Sequence, residues 1–449
     1  MTRFVFFLLL TFSVHTAFSQ VPVEQCGYRY EVERILQRQP NFFIWQDAYY
    51  QAAMDKYMDL QSDKRDIIVQ DTEYYEIPVV FHILYNNANE NIHDSLIYNQ
   101  IEELNRSFRK QTSDTNRIRA MFKPIAADVR IQFKLANIDP MGNPTSGINR
   151  KYTTKTTFAR NIYGAYTTDM KSVNNGGAAA WDPVRYLNIW VCNMEFPNYL
   201  AIVYGFATPP TGAPNWDNTG NVTKDSNDNE TGVVLHYKVT GVNSPLSPSK
   251  YKEGKTAVHE VGHYLGLRHT WGDGSSVTGC SVDDGIFDTP NSRYSNSSCL
   301  GQNTCNDGAG DLPDQTENYM DYALDGCAAM FTKQQAFMMR YVLNTFRTAL
   351  PYRSITSDTI KPSDGSRIVS LYPNPVNDNA KLNLNIQEDV AATYAVSIID
   401  ACGRQIINRN FKSNQVFEID LSGMAGALYF VIIKDSAGVV ISKEKIQVR

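Results

Sequence analysis

The sequence predicts an α+β protein, a mixed sheet backed by helices, followed by a small all-β sandwich. Two observations carry that reading. From about residue 75 to 345, strand-like and helix-like segments interleave, which suggests a sheet with helices packed on it. After a Ser-, Asp-, Thr- and Pro-rich break at 351–366, the pattern becomes short alternating apolar runs separated by Gly, Asn and Asp turns. The 449 residues leave room for more than one domain, and 43% hydrophobic and 20% charged residues are the proportions of a globular protein. A net charge of −5 shows no basic bias, so nucleic acid is a poor candidate partner.

Taken in order, Met1-Thr2-Arg3 and the apolar run Phe4 to Leu10 read as a secretory signal peptide over 1–19, with Ala17-Phe18-Ser19 giving small residues before a cleavage at Gln20. Pro22-Val23-Glu24-Gln25 does not read as a lipoprotein-type cleavage sequence, so Cys26 is not taken as lipidated. No later stretch reaches the ~18 apolar residues of a membrane-spanning helix. Residues 20–70 are polar and locally helical in pattern, and end at the dibasic patch Asp63-Lys64-Arg65-Asp66. In an exported protein this predicts a removable propeptide. Ile77 to Tyr85 opens the next domain, 71–350, as a strand. Ile97, Ile101, Leu104 and Phe108 recur at helical spacing, giving a backing helix with one apolar face. Val129 to Leu135, Leu187 to Val191 and Val233 to Val239 read as further strands. Beyond the linker 351–366, the runs at Leu382, Tyr394, Tyr429 and Val439 predict the sandwich over 367–449.

The chemistry concentrates at His259-Glu260-Val261-Gly262-His263-Tyr264-Leu265-Gly266-Leu267-Arg268-His269. Val258, Val261 and Leu265 form a helical apolar stripe, which predicts a helix carrying His259 and His263 on one face. Two imidazoles four residues apart reach a single ion at about 2.0–2.1 Å. Gly266 lets the backbone leave the helix, and the chain then turns back to bring in His269. Three protein ligands leave a fourth position for water, the arrangement of a catalytic zinc. Glu260 points about 100° round the helix from His259 and is the candidate general base for that water, whose pKa zinc lowers to around 7. Half of the histidines expected in the mature chain fall in this one stretch, so unrelated core histidines are a poor explanation.

The pattern H-E-x-x-H-x-x-G-x-x-H resembles that of the metzincin metalloproteases. That resemblance implies a Met-turn beneath the metal, which Asn318-Tyr319-Met320-Asp321-Tyr322 fits, with Tyr322 a candidate donor to the developing oxyanion. Trp181-Asp182-Pro183, Tyr186 to Cys192, Thr270-Trp271, Asp284 to Pro290 and Asn318 to Thr332 are similar to the pappalysin-like, or cytophagalysin, branch over about 75–345. The resemblance implies a twisted-sheet upper subdomain with an active-site helix, an irregular disulfide-bearing lower subdomain, a cleft between them, and hydrolysis of peptide bonds in protein or peptide substrates.

Cys280, Cys299, Cys305 and Cys327 lie in a loop-rich stretch, which in an exported protein reads as two disulfides; four cysteines allow three pairings, and a second zinc site is disfavoured by the lack of a C-x-x-C pair. The family resemblance favours Cys280–Cys305 and Cys299–Cys327. It also implies calcium near Asp283, Asp284 and Asp288, with Asp284 and Thr289 at ligand positions; a solvated acidic loop is the alternative. Asp325 follows the Met-turn where an Asp in related enzymes favours basic residues on the primed side, implying cleavage before Arg or Lys. Cys192 falls in an expected core strand and Cys402 in the last module. Cys26, the odd thiol of the leader, is a candidate fourth zinc ligand that keeps a zymogen silent, or else an incidental unpaired cysteine.

Leu371-Tyr372-Pro373-Asn374-Pro375, Gly426 to Val431 and the basic end at Lys443, Lys445 and Arg449 resemble the C-terminal sorting domain of type IX secretion cargo. That implies the type IX machinery as a partner and a secreted or cell-surface location. A secreted binding protein that keeps the fold without turnover is the rival reading, and the presence of the general base argues against it.

Overall fold

The structure, a computed structural model, describes residues 23–62, 73–159, 168–196, 202–211, 230–272, 279–308, 310–355, 368–372, 381–387, 392–400, 404–413, 416–436, 438 and 440–448. The signal segment, the dibasic patch, Cys402 and most of the 351–366 break lie outside them. The chain divides into two compact units, Met1–Ile355 and Thr356–Arg449.

The first unit is organised around β2 (Glu73–Tyr85), a 13-residue strand. Ile77, Val79, Val80, Phe81, Ile83 and Leu84 are all buried, because helices or loops cover both faces of a central strand with parallel neighbours. Its length lets it pair with four strands: β3 (Ile131–Leu135) and β4 (Ile148–Tyr152), both parallel, β5 (Leu187–Cys192), parallel, and β8 (Tyr352–Ile355), antiparallel. β5 continues to β7 (Val233–His236), β7 to β6 (Ile202–Ala207), which runs antiparallel to it, and β6 to β1 (Val23–Cys26), giving an eight-stranded mixed sheet. Three boundaries differ from the sequence reading for local reasons. Arg130 takes φ +62°, so β3 starts at Ile131 rather than at Val129. His236 Nδ1 accepts the Lys238 amide at 3.1 Å and turns the chain into a 3-10 turn, ending β7 before Val239. Residues 352–355 add β8 to the sheet, so the first unit continues past 350 and the linker starts later than the expected 351.

Helix α3 (Asp94–Phe108) buries Ile97, Leu104 and Phe108, the apolar face expected of a backing helix. The expected helix of the histidine motif is α4 (Lys255–Tyr264), nearly all of it buried. α5 (Lys333–Thr345) starts with a capping box between Thr332 and Gln335. The leader supplies α1 (Tyr28–Arg38) and α2 (Phe42–Ser62) besides β1. Its Tyr28, Val32, Ile35, Phe42, Trp45, Tyr49, Tyr50, Ala53 and Met54 belong to the same apolar cluster as the sheet and α5. The leader is therefore built into the core of this unit.

Between α4 and α5 the described residues have little regular structure, and the disulfides Cys280–Cys305 and Cys299–Cys327 cross-link them. The second unit has two antiparallel sheets, β13 (Val416–Asp420)–β10 (Lys381–Gln387)–β9 (Ile368–Tyr372) and β12 (Gln405–Lys412)–β11 (Thr393–Asp400)–β14 (Leu428–Lys434)–β15 (Val440–Gln447). Leu382, Leu384 and Ile386 of one sheet meet Tyr394, Val396, Ile398, Val431 and Ile433 of the other in a single core, the alternation a sandwich requires.

Closing a 25-residue loop removes roughly 3 kcal/mol of unfolded-state entropy. A Cys280→Ser/Cys305→Ser protein is expected to lose about that much stability in thermal or denaturant unfolding; an unchanged midpoint would show that other contacts hold the region.

Candidate active site

Helix α4 presents His259 and His263 from successive turns of one face. Gly266, at φ +95°, then reverses the chain; a Cβ there would lie 2.7 Å from Val342 Cγ2, so both the conformation and the space demand glycine. The turn brings His269 back, and the three Nε2 atoms stand 3.0–3.2 Å apart. Those separations suit three nitrogens about one ion at 2.0–2.1 Å. The remaining ring nitrogens are engaged outward: His259 Nδ1 with Tyr319 O at 2.7 Å, and His263 Nδ1 with Leu267 O at 2.8 Å. Each Nδ1 donates to a carbonyl, which leaves the Nε2 lone pair for the centre. His269 stacks on Trp271 with centroids 4.2 Å apart, and Met320 lies under α4, where a Cβ on Gly262 would come within 2.4 Å of its Sδ. The donor set and its outward anchoring fit a zinc ion.

A fourth ligand atom reaches the same point. Among the described residues, Cys26, His259, His263 and His269 form the one group of His, Cys or acidic side chains whose ligand atoms all lie within 4.8 Å of one another, and all four are buried. Strand β1 puts the cysteine there by pairing parallel with β6, Cys26 opposite Gly205. Cys26 Sγ accepts the Tyr28 amide at 3.3 Å and lies 3.5 Å from Glu260 Oε2. Tyr28 stacks on His263 with centroids 4.1 Å apart.

Glu260 is fully buried, and burial pushes its carboxyl well above the usual range, against a smaller lowering by the Cys26 hydrogen bond. It fits against β6 only because residue 205 is glycine: a Cβ there would stand 2.6 Å from Glu260 Cγ. Tyr322 Oη donates to the Cys26 carbonyl at 3.2 Å. The three imidazoles, the carboxylate and the phenol hydroxyl thus all lie against the single residue Cys26.

The leader holds the metal loop at a second place. Tyr49 and Tyr50 hydroxyls donate to Gly266 O at 3.2 and 2.6 Å, the Arg268 amide donates to Tyr50 Oη at 2.9 Å, and the Arg268 guanidinium meets Gln46 and Asp47. These contacts, with Tyr28 and Gly205, were not found from sequence. The pairs Gln46-Asp47 and Tyr49-Tyr50 in a polar leader were the available signal.

Of the remaining expected site residues, Asp325 borders the site, and Asp284, Asp288 and Thr289 lie in the loop after α4. Asp325 is buried, accepts the Glu253 amide at 2.7 Å, and is pushed up to about 7 by burial. It lines a cavity of about 30 Å³ with Gln25, Tyr251, His259 and Tyr322. Asp284 is buried and accepts the Thr289 hydroxyl at 2.8 Å and the Ile286 amide at 3.0 Å, while Asp288 accepts the Gln334 amide at 3.1 Å. Burial raises the carboxyl of Asp284 well above its usual range, and Asp283 and Asp288 add to the rise.

Residues 169–344 match the family model described as pregnancy-associated plasma protein-A, a peptidase family, and residues 370–448 match a secretion-system C-terminal sorting domain. An extracellular metalloprotease of Aspergillus oryzae is 29% identical over 268 residues, covering 58% of this chain and 73% of the relative. Extracellular metalloprotease 1 of Coccidioides posadasii is 41% identical over 102 residues, where the match spans 22% of this chain and about a third (34%) of the relative's length. Among solved structures, Tannerella forsythia mature mirolysin in complex with a cleaved peptide is 37% identical with TM-score 0.53, over 62% of this chain and 95% of that one. Tannerella forsythia promirolysin is 33% identical with TM-score 0.55, over 73% of this chain and 97% of that one. The chain belongs to the pappalysin-like family of metalloproteases and ends in a secretion-system sorting domain.

Proposed function

We propose that this chain is the latent precursor of a secreted zinc endopeptidase. The observation that carries the reading is the convergence of the Cys26, His259, His263 and His269 ligand atoms beside Glu260. The proposed division is a signal peptide at 1–19, a propeptide at 20–70, the catalytic domain to about 355, a linker, and a sorting domain read by the type IX secretion machinery. His259, His263 and His269 would hold the metal. Zinc held there would supply an acidified water and polarise the scissile carbonyl. Glu260 takes the proton from the attacking water and returns it to the leaving amine. Tyr322, once its hydroxyl is released from the Cys26 carbonyl, donates to the oxyanion of the tetrahedral intermediate.

Latency follows from the same contacts. The Cys26 thiolate would serve as a fourth ligand to the metal, Glu260 faces its sulfur, and Tyr322 is turned to its carbonyl. Removing the leader frees the three groups together.

Two finer readings go with this one. Asp325, in the cavity beside His259, recognises an Arg or Lys side chain of the substrate. Asp284 and Thr289 belong to a calcium site whose cation offsets the buried carboxylate.

The expected outcomes are specific. Purified chain freed of its leader hydrolyses casein, and a zinc chelator or Glu260→Ala lowers the rate at least about a thousandfold. Full-length Cys26→Ser shows hydrolysis before any cleavage of the leader; equal turnover by the Glu260→Ala protein would remove the mechanism. Peptide-library profiling of Asp325→Ala should show loss of the Arg and Lys preference, and an unaltered profile refutes that role. Calcium at millimolar concentration should raise the melting temperature of the parent protein and leave that of Asp284→Ala unmoved; the same shift in both denies the site.

A further inference from the structure

Leader and enzyme also meet at a buried carboxylate and a buried ammonium. Past Cys26, helix α1 carries Glu31 to the end of β6, where its Oε1 accepts the Thr208 hydroxyl at 3.1 Å. The same Thr208 Oγ1 lies 3.2 Å from Lys171 Nζ, which also donates to the Glu230 carbonyl. The Lys171 ammonium in turn lies over the rings of Trp190, at 5.2 Å, and Phe206, at 5.3 Å. Glu31 is 2% and Lys171 5% exposed, so water solvates neither charge well. Arg34 of α1 binds Glu31 at 2.7 Å and also meets the carboxylate of Glu230.

The two sides of this cluster have different fates when the leader leaves. Glu31, Arg34 and Arg38 depart with it. Lys171, Thr208 and the Glu230 carboxylate stay, the first two held by the aromatic rings, the Glu230 carbonyl and the Thr208 amide bond to Gly232 O at 2.9 Å. A cation set among aromatic rings with a hydroxyl beside it is a receptor for a carboxylate, and charge-assisted hydrogen bonds of this kind are about twice as strong as neutral ones. Its place along β6 is also defined. Gln25, just before Cys26, lines the Asp325 cavity, whereas Glu31 follows Cys26 and meets Thr208 just past the C-terminal end of β6. Thr208 is three residues beyond Gly205, the partner of Cys26, or roughly 10 Å along an extended strand.

We propose that Lys171 and Thr208 form a substrate subsite for a Glu or Asp side chain, about three residues from the scissile bond on the side away from the Asp325 cavity, which Glu31 fills in the precursor. This rests on the peptidase reading above and adds a second specificity element to it. Substrates then carry an acidic residue on one side of the cut and, if Asp325 acts as proposed, a basic one on the other. Glu31 is a resident copy of the substrate's acidic residue.

The test uses the full chain freed of its leader and peptides that differ only in Glu or Gln, placed two, three or four residues from the cleaved bond on that side. At one position kcat/KM should favour Glu by about tenfold, with the ratio shrinking as salt is raised. In Lys171→Gln the ratio should fall to about one. Efficient cleavage of every peptide with a Glu-to-Gln ratio near one at all three positions overturns the subsite and leaves the peptidase reading intact. Failure to cleave any of them overturns both. Should Lys171→Gln not fold, the comparison of peptides on the unaltered enzyme decides alone.

Discussion

Three imidazole nitrogens within about 3 Å of one another are the constraint on which the rest of the first unit depends. Lone pairs directed at a common point repel unless a cation lies between them, so everything around them has to hold the rings in place. Tyr319 and Leu267 carbonyls fix two tautomers, Gly266 sets the turn that returns the third ligand, and Met320 supports the helix where Gly262 leaves room for its sulfur. Several residues with no reactive group, Gly262 and Gly266 above all, are thereby as tightly specified as the histidines.

The leader is part of that support. It adds an edge strand to β6, stacks Tyr28 on His263, and places Tyr49 and Tyr50 against the carbonyl of Gly266. Its apolar side chains share the core of the enzyme. An edge strand with unpaired amides is the place where an extended peptide docks by main-chain hydrogen bonds. The leader uses that edge, the pocket beside His259 and the Lys171–Thr208 pair at once. On the proposed reading, inhibition by it is distributed along β6, with Cys26 at the centre.

Much of the site was legible in the sequence because its residues are close in the chain and chemically unusual. A turn of helix spaces His259 from His263, a glycine marks the reversal, and the acid sits beside the first ligand. Strands such as Ile77 to Tyr85 were legible because burial on both faces leaves a continuous apolar run. What was not legible depends on long-range pairing. β1 is a short segment that becomes a strand only because β6 offers it an edge, and β8 has four residues whose partner lies at the other end of the unit. Nothing in the sequence singles out Gly205; its role appears only when Glu260 is seen against it. Glu31 and Lys171, 140 positions apart, are two among many surface-type charges in the sequence, and their burial against one hydroxyl appears only in three dimensions.

The most direct test of this account is X-ray absorption at the zinc edge on the purified full-length chain, before and after removal of the leader. Three nitrogen neighbours at about 2.0–2.1 Å and one sulfur at about 2.3 Å are expected in the precursor, with the sulfur replaced by oxygen in the mature form and in Cys26→Ser. A precursor that binds no zinc, or one whose zinc has no sulfur neighbour, would contradict it.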